Sequence, residues 1–467
     1  VRITGYWLAA VLGAMLCACE DSDNTLPAQR VASDFTTDVP MVREAMLDAT
    51  YWIERLDRDD VRMDAAAIRR FNNASFELDE HLNDLDDFPQ TLPREQVLKW
   101  IDGVSRPASS SRYHVDGRIV SAEDYAALEA AVQRERVPAE VDVRWGMVVE
   151  RASMRSFPTD TRVLKSQDDR DLDRFQETGV FPGQRLALLH ESADGLWWFA
   201  VNYHYAAWLP KQAVALAARE QLERWAAREP RLMVTGASVT TNYNPEDART
   251  SQVLLDMGVS LPLLTAREVG HNVHGQNPYA SYIVSLPVRS DTGALEFEPA
   301  LIGRGRDVRV GPLAYRPSNI LRQAFKFLGE RYGWGHDYNA RDCTGFVGEV
   351  YKSVGILMPR NSGQQGASGF APTKTFAPGD REERLTALAN LSVGDLIYIP
   401  GHVMMYIGRV EGEPYVIHDV TGLRYFAEDQ SLYTGTLSGV SVTPLTPLLL
   451  NREKSFVDGI YAIKTII

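Results

Sequence analysis

Apolar residues keep a helical period in the first third of the chain and switch to short alternating runs further on. Gln96-Val97-Leu98-Lys99-Trp100-Ile101 is amphipathic at helical spacing. Ser121, followed three residues later by Asp124 and then by Tyr125, Leu128, Ala131 and Val132, is a capping box that opens a helix. Pro107 to Ser111 separates the two as an exposed loop, so residues 38–140 read as a helical, irregular region. From about 141 the runs shorten. Arg185 to His190 and Leu196 to Val201 flank Glu191-Ser192-Ala193-Asp194-Gly195, a hairpin with Asp-Gly turn chemistry. Residues 141–217 are therefore one small strand-rich block. An amphipathic connector, Glu220 to Arg228, leads to a second block ending near 302. Its strands are read from Leu232 to Thr235, Val253 to Leu255, Met257 to Pro262 and Ser281 to Val288. No repeat between the two blocks demonstrates duplication.

From 309 to 467 both periods occur. Ser318 is expected to cap a helix bearing Ile320, Leu321, Ala324, Phe327 and Leu328, which stops at Tyr332-Gly333-Trp334-Gly335. Asp342 is a good N-cap for a second helix, with Phe346, Val347 and Val350 on one face. Gly363 to Arg384 reads as a long polar loop beside a cleft. Leu396 to Pro400, His402 to Ile407 and Tyr415 to Val420 read as adjacent strands, with Ile460 to Ile463 closing the sheet. One helical layer on an antiparallel sheet gives an α+β unit, and the whole chain is multidomain α+β.

A chain of 467 residues is too long for one ordinary core. Its net charge of −13 argues against a nucleic-acid partner, which requires basic patches. No metal or cofactor is called for. His271-x-x-His274 lacks a third ligand of suitable spacing, and neither a Gly-x-Ser-x-Gly elbow nor a phosphate-binding Gly-Lys loop occurs. The three cysteines are Cys17, Cys19 and Cys343. An apolar run, Tyr6 to Leu16, follows Arg2 and is too short to span a bilayer, so it reads as a signal-peptide core. Leu16-Cys17-Ala18-Cys19 resembles a bacterial lipobox. That resemblance implies removal of residues 1–18 and lipidation of Cys19. Residues 19–37 then form an acidic tether (Glu20, Asp21, Asp23) from an anchor on a membrane of the bacterial cell envelope. Which membrane is left open.

Cys343 is then alone, in the first turn of a helix. Unpaired N–H groups and the positive end of the helix dipole there favour thiolate, the nucleophilic form. His402 on a strand would accept its proton, and His418, one hairpin away, would orient the His402 ring. This is the layout of papain-like thiol catalysis. Each residue alone also fits an inert role: a buried thiol, or a satisfied strand histidine.

Asp342-Cys343-Thr344-Gly345-Phe346 resembles the Asp-Cys-Ser-Gly-Phe nucleophile motif of the NlpC-type cysteine peptidases of bacterial cell walls. Tyr332-Gly333-Trp334-Gly335 is similar to the family's tyrosine-tryptophan segment. Gly394-Asp395-Leu396, followed by Gly401-His402-Val403, matches its base-histidine block, and His418 falls on its third catalytic position. Trp208-Leu209-Pro210 before Ala213 to Leu216 resembles the ending of a bacterial SH3 domain. The resemblance implies a papain-like catalytic domain preceded by a helical region and two small SH3-like barrels. It also implies hydrolysis of the γ-D-glutamyl to L-diamino acid bond in peptidoglycan stem peptides or muropeptides. Tyr332, Trp334, Asp342, Thr344, Asn361 and Ser362 match substrate-cleft positions. Asn361 stands where relatives specific for a free L-Ala carry aspartate. The first SH3-like block would wall the cleft, with Trp197, Trp198, Tyr203 and Tyr205 available for it. A catalytically silent wall-binding protein and a Cys-His amidase or acyltransferase are the alternatives.

Overall fold

The computed structural model describes residues 35–467, and residues 38–467 form one unit. The apolar run of residues 6–16, Cys17, Cys19 and the acidic stretch to Asp23 lie outside the described residues. No helix among the described residues is long and apolar enough to cross a membrane.

Helix α1 (Ala65–Leu78) starts where Asp64 accepts a hydrogen bond from the Ala67 N–H, and α2 (Arg94–Val104) follows. Helix α3 (Ala122–Val132) opens with the expected reciprocal Ser121–Asp124 box. This region does not fold around a core of its own. Trp52 and Ile68 pack into the cluster that holds Ile320, Tyr351 and Met405 of the C-terminal unit. Val97, Ile101 and Val132 join the core of the strand-rich blocks. Burial of such side chains is worth about 1.5–3 kcal/mol each, so the helical region is held by its neighbours.

Strands β1 (Arg144–Val148), β2 (Ala152–Arg155), β3 (Gln176–Val180), β4 (Arg185–Glu191), β5 (Trp197–Val201), β6 (Ala206–Pro210) and β7 (Val214–Ala217) form one antiparallel sheet. Their order is β7-β1-β4-β5-β6-β2-β3. The Asp-Gly turn joins β4 and β5 as expected, with Gly195 at φ 70°. After a helix over Arg219–Ala226 comes a second sheet of β8 (Arg231–Val234), β9 (Ser260–Leu264), β10 (Ser281–Arg289), β11 (Leu295–Gly303) and β12 (Val308–Val310), in the order β11-β10-β9-β8-β12. Strand β12 pairs with β8, so this sheet runs past residue 302, where hydrophobic text alone ended it. Leu261 and Leu286 share a cluster with Met147, Phe199 and Trp208, which fuses the two sheets into one core.

Helix α4 (Pro317–Phe325) has Arg316 at its N-cap and proline in its first turn, not Ser318 as cap. The Ser318 N–H and hydroxyl instead donate to Asp59, and the helix stops at Phe325, before Tyr332. Helix α5 (Cys343–Lys352) then packs on an antiparallel sheet. Its strands are β13 (Thr373–Thr375), β14 (Leu396–Ile399), β15 (His402–Val410), β16 (Glu413–Phe426), β17 (Leu432–Pro444) and β18 (Ala462–Lys464), ordered β13-β18-β14-β15-β16-β17. Residues 363–384 are not one loop. They contain most of helix α6 (Ser362–Ala367), the strand β13 and the start of a helix over Arg381–Ala389.

Candidate active site

Asp342 makes the first turn of α5. Its Oδ1 accepts from the Gly345 N–H at 2.8 Å and from the Thr344 hydroxyl at 3.0 Å, and its Oδ2 accepts from the Gly335 N–H at 3.0 Å. Cys343, the one cysteine among the described residues, is therefore fixed at the helix mouth, with 7% of its surface exposed. The Val403 N–H at the start of β15 points to its sulfur, so the residue next to His402 touches the thiol.

The two histidines come together. Met405 pairs with Ile417, which sets His418 opposite Met404 and places His402 two residues along on the same side of the sheet. His402 Nε2 and His418 Nδ1 lie 2.8 Å apart, and His418 Nε2 lies 3.0 Å from the Thr443 hydroxyl. Among the described residues no hydrogen bond joins Cys343 Sγ to His402. Catalytic hydrogen bonds are commonly loose in unliganded sites and tighten when substrate binds.

The expectation of a resting thiolate is overturned. Burial pushes the Cys343 thiol up to about 12; the carboxylates of Asp342 and Asp419 add to this against the Val403 N–H and Arg360. Burial likewise pushes His402 down to about 4. The resting pair is a neutral thiol beside a neutral imidazole. Its alkylation by iodoacetamide is therefore expected to accelerate about tenfold per pH unit between about pH 7 and pH 10, without a plateau. An acid-range plateau in a stopped alkylation series, the mark of an ion-paired thiolate, would refute this.

Arg360, which no motif singled out, holds the site together. Its buried guanidinium donates to Asp342 Oδ1 at 3.1 Å and Oδ2 at 2.7 Å, to the Thr344 hydroxyl at 2.5 Å and to Thr178 on β3 at 2.7 Å. Burial alone would raise the Asp342 carboxyl, but Arg360 and the Gly345 N–H outweigh it and hold it well below the usual carboxylate range. His336 sits in the left-handed region, at φ 68°, and its Nδ1 faces the Gly179 N–H at 3.3 Å and Arg360 at 3.2 Å. A Cβ on Gly345 would fall 2.6 Å from His336 Nε2, so only glycine fits at that position of the motif. The left-handed backbone of His336 costs on the order of 1–3 kcal/mol and persists where the surroundings overdetermine it. Behind it, Arg341 is bound by Glu330, Glu349 and Asp256, and Asp256 is also held by Arg151.

The remaining cleft positions are placed as follows. Tyr332 is buried and lies close enough to Cys343, Asp342 and Asp419 for their charges to raise its hydroxyl, after burial as the main cause. The Trp334 indole donates to the Gln176 carbonyl on β3, at 3.0 Å, so it rests on the first sheet. The Thr344 hydroxyl is already engaged by Asp342 and Arg360. Asn361 caps α6 and Ser362 follows it, half-buried. Of the four aromatics expected as wall, Trp197 and Trp198 are core, while Tyr203 packs on the His204 ring and lines a small cavity with Thr344, Gly345 and Arg360. Tyr205 reaches Asn361, and its hydroxyl donates to Glu177, a half-buried carboxyl group that sequence reasoning missed. Asp419 was missed as well. Neither of its carboxyl oxygens is hydrogen-bonded among the described residues, and burial pushes it up to about 9.

Residues 329–438 match the model of the NlpC/P60 family, and residues 162–210 match that of the SH3 domain of the SH3b1 type. A γ-D-glutamyl-L-lysine dipeptidyl-peptidase of Bacillus cereus is 26% identical over 251 residues, covering 50% of this chain and 65% of that protein. A probable endopeptidase p60 of Listeria seeligeri is 42% identical over 92 residues, covering 19% of this chain and 16% of that protein. The chain thus spans less than two thirds of the length of either relative. The solved structure of an NlpC/P60 endopeptidase from Photobacterium damselae subsp. piscicida shares the fold, with a TM-score of 0.71 over 92% of this chain and 98% of that one, at 16% identity. Residues 329–438 are thus similar to the NlpC/P60 family, and a segment similar to the SH3 domain of the SH3b1 type lies ahead of them.

Proposed function

We propose that the protein is a murein endopeptidase that hydrolyses the bond between the γ-carboxyl of D-Glu and an L-diamino acid in stem peptides. The observation that carries the reading is the Thr443–His418–His402 chain ending beside a thiol at a helix mouth. With His418 Nε2–H donating to Thr443 and His402 Nε2–H donating to His418, His402 Nδ1 is left as an unprotonated base. Cys343 Sγ attacks the scissile carbonyl carbon as its proton passes to His402 Nδ1. The Cys343 N–H at the helix start is a donor for the oxyanion. Collapse breaks the C–N bond, and the departing amine takes the proton from His402. Water, deprotonated by the same nitrogen, then cleaves the thioester to a free carboxylate and restores the thiol.

Tyr332, Trp334, Asp342, Asn361 and Ser362 line the substrate cleft in this reading, and Thr344 supports it through Asp342 rather than by a free hydroxyl. Asn361 carries no charge for a substrate ammonium, but Tyr205 links it to the Glu177 carboxylate. The second sheet is an SH3-like module, and Cys19 is the lipid anchor that holds the chain in the bacterial envelope. The naming of the Bacillus cereus relative supports the same bond.

Incubation with the tripeptide L-Ala-γ-D-Glu-L-Lys, and in parallel with cross-linked murein, is expected to release L-Ala-D-Glu and free lysine from the tripeptide, read by mass spectrometry. Scission of any other bond, or transfer to an added amine in place of water, would replace this reading with an amidase or acyltransferase.

A further inference from the structure

A second polar cleft, of about 390 Å³, lies where α1, the loop around residues 83–86, β4 and the C-terminal end of α5 meet. Lys352, the last residue of α5, lines it. Among the described residues, Lys352 is the one lysine that is not exposed and whose ammonium makes neither a hydrogen bond nor an ion pair. Lys211 and Lys464, the other two that are not exposed, are both engaged. The carboxylates that act on Lys352 are engaged by other cations: Glu349 accepts from Arg341 through Oε2 while its Oε1 faces His336 Nε2 at 3.3 Å, and Asp256 is held by Arg151 and Arg341. The ammonium's one contact is the face of the Phe181 ring, 5.6 Å from its centroid, which leaves it without a counter-ion or hydrogen-bond acceptor; that is costly, and an incoming anion offsets the cost.

The lysine stem is held in place. A Cβ on Gly258 would stand 2.8 Å from Lys352 Cγ, so the stem lies across a glycine at φ +80° with no room for a side chain. Arg69, also free of hydrogen bonds and ion pairs, stands at the same cleft. Phe76, Val259 and Leu357 give it an apolar wall. Asp84 and Asp86 also line it, Asp86 in an ion pair with Arg185, and the remaining acidic charge of Asp84 disfavours a dianion such as phosphate. The volume is that of an ordinary small-molecule site. Lys352 is nine residues from Cys343, about 13 Å along the helix axis, so this cleft is separate from the thiol.

We propose that this cleft binds a small molecule with one carboxylate and an apolar body, its carboxylate ion-paired to Lys352 and its body against Phe76 and Leu357. The site does not depend on which bond Cys343 cuts.

Calorimetric titration of the full chain with N-acetyl-L-phenylalanine is expected to give a Kd of about 1 mM or tighter. N-acetyl-L-phenylalanine amide, which lacks the charge, is expected to bind at least tenfold more weakly, and inorganic phosphate more weakly than the carboxylate. Lys352→Gln loses at least tenfold in carboxylate affinity, and Lys352→Arg recovers it. The carboxylate–amide comparison on the unaltered protein carries the test even where Lys352→Gln fails to fold. Absence of carboxylate binding, equal binding of acid and amide, tighter binding of phosphate, or a folded Lys352→Gln that binds undiminished would each overturn the site. The last result would also mean that the ligand lodges at the Cys343 cleft instead.

Discussion

Replacing Cys343 with alanine is expected to lower stem-peptide hydrolysis by about 10⁴-fold or more. The proposed chemistry passes through a thioester, and no other thiol lies among the described residues to take its place. The fold is expected to survive. The thiol accepts a single backbone N–H and sits beside two carboxyl groups whose charge opposes its ionisation. Its loss therefore removes little stabilisation. Hydrolysis assays paired with urea unfolding separate the two outcomes: activity lost with an unchanged midpoint supports the nucleophile, whereas parallel losses point to a structural cysteine.

Arg360→Met is expected to reduce the unfolding free energy by about 3–5 kcal/mol, because it leaves Asp342 as a buried carboxylate without its counter-ion. Arg360 is 3% exposed, and four of its hydrogen bonds converge on Asp342, Thr344 and Thr178. The sign of the pH dependence follows from Asp342. Its folded-state carboxyl is held well below the ordinary value of 3.8, so this stabilisation is present above that value and is lost as pH falls toward the folded-state one. The gap between wild type and variant should thus narrow below about pH 4. Asp342→Asn combined with Arg360→Met should recover part of the loss, since the unpaired charge is gone, and a double-mutant cycle reads the coupling. Additive losses would mean that the arginine acts through packing alone. Activity should fall with stability in the single variant, because the same guanidinium fixes the cap that presents Cys343.

What could be read in the sequence is what short-range chemistry determines. Asp342 as cap, with Phe346, Val347 and Val350 at helical spacing, marks α5, and all three apolar side chains are buried. His402 and His418 lie on strands whose alternation and short connection bring them to one side of the sheet, where they meet at 2.8 Å. The Ser121 box and the Asp194-Gly195 turn are local in the same sense. Ser318 was misplaced because its partner, Asp59, lies 259 residues away, and a serine ahead of an apolar run has the same text whether it caps or not. Arg360 could not be read at all: its partners Thr178 and Asp342 come from different modules, and nothing in the text around an isolated arginine records them.

The thiol's protonation state shows the same boundary. A cysteine at a helix N-terminus alone favours thiolate, which is the local argument. Burial and two carboxyl groups, one of them on the far strand β16, reverse it. The base must then act during attack rather than before it. That demand fits His402, held neutral, with its Nε2 committed to His418. It also separates Cys343 from thiols that wait as ion pairs, and it makes the alkylation profile a direct readout of the carboxyl groups around the sulfur.

The measurement that tests the assignment of Cys343 most directly is rapid-quench mass spectrometry of the protein mixed with L-Ala-γ-D-Glu-L-Lys, followed by peptide mapping. A transient L-Ala-γ-D-Glu acyl group on the peptide that contains Cys343 is the predicted result, absent from Cys343→Ala. Lysine release that continues in Cys343→Ala with no acylated peptide at any time would contradict it.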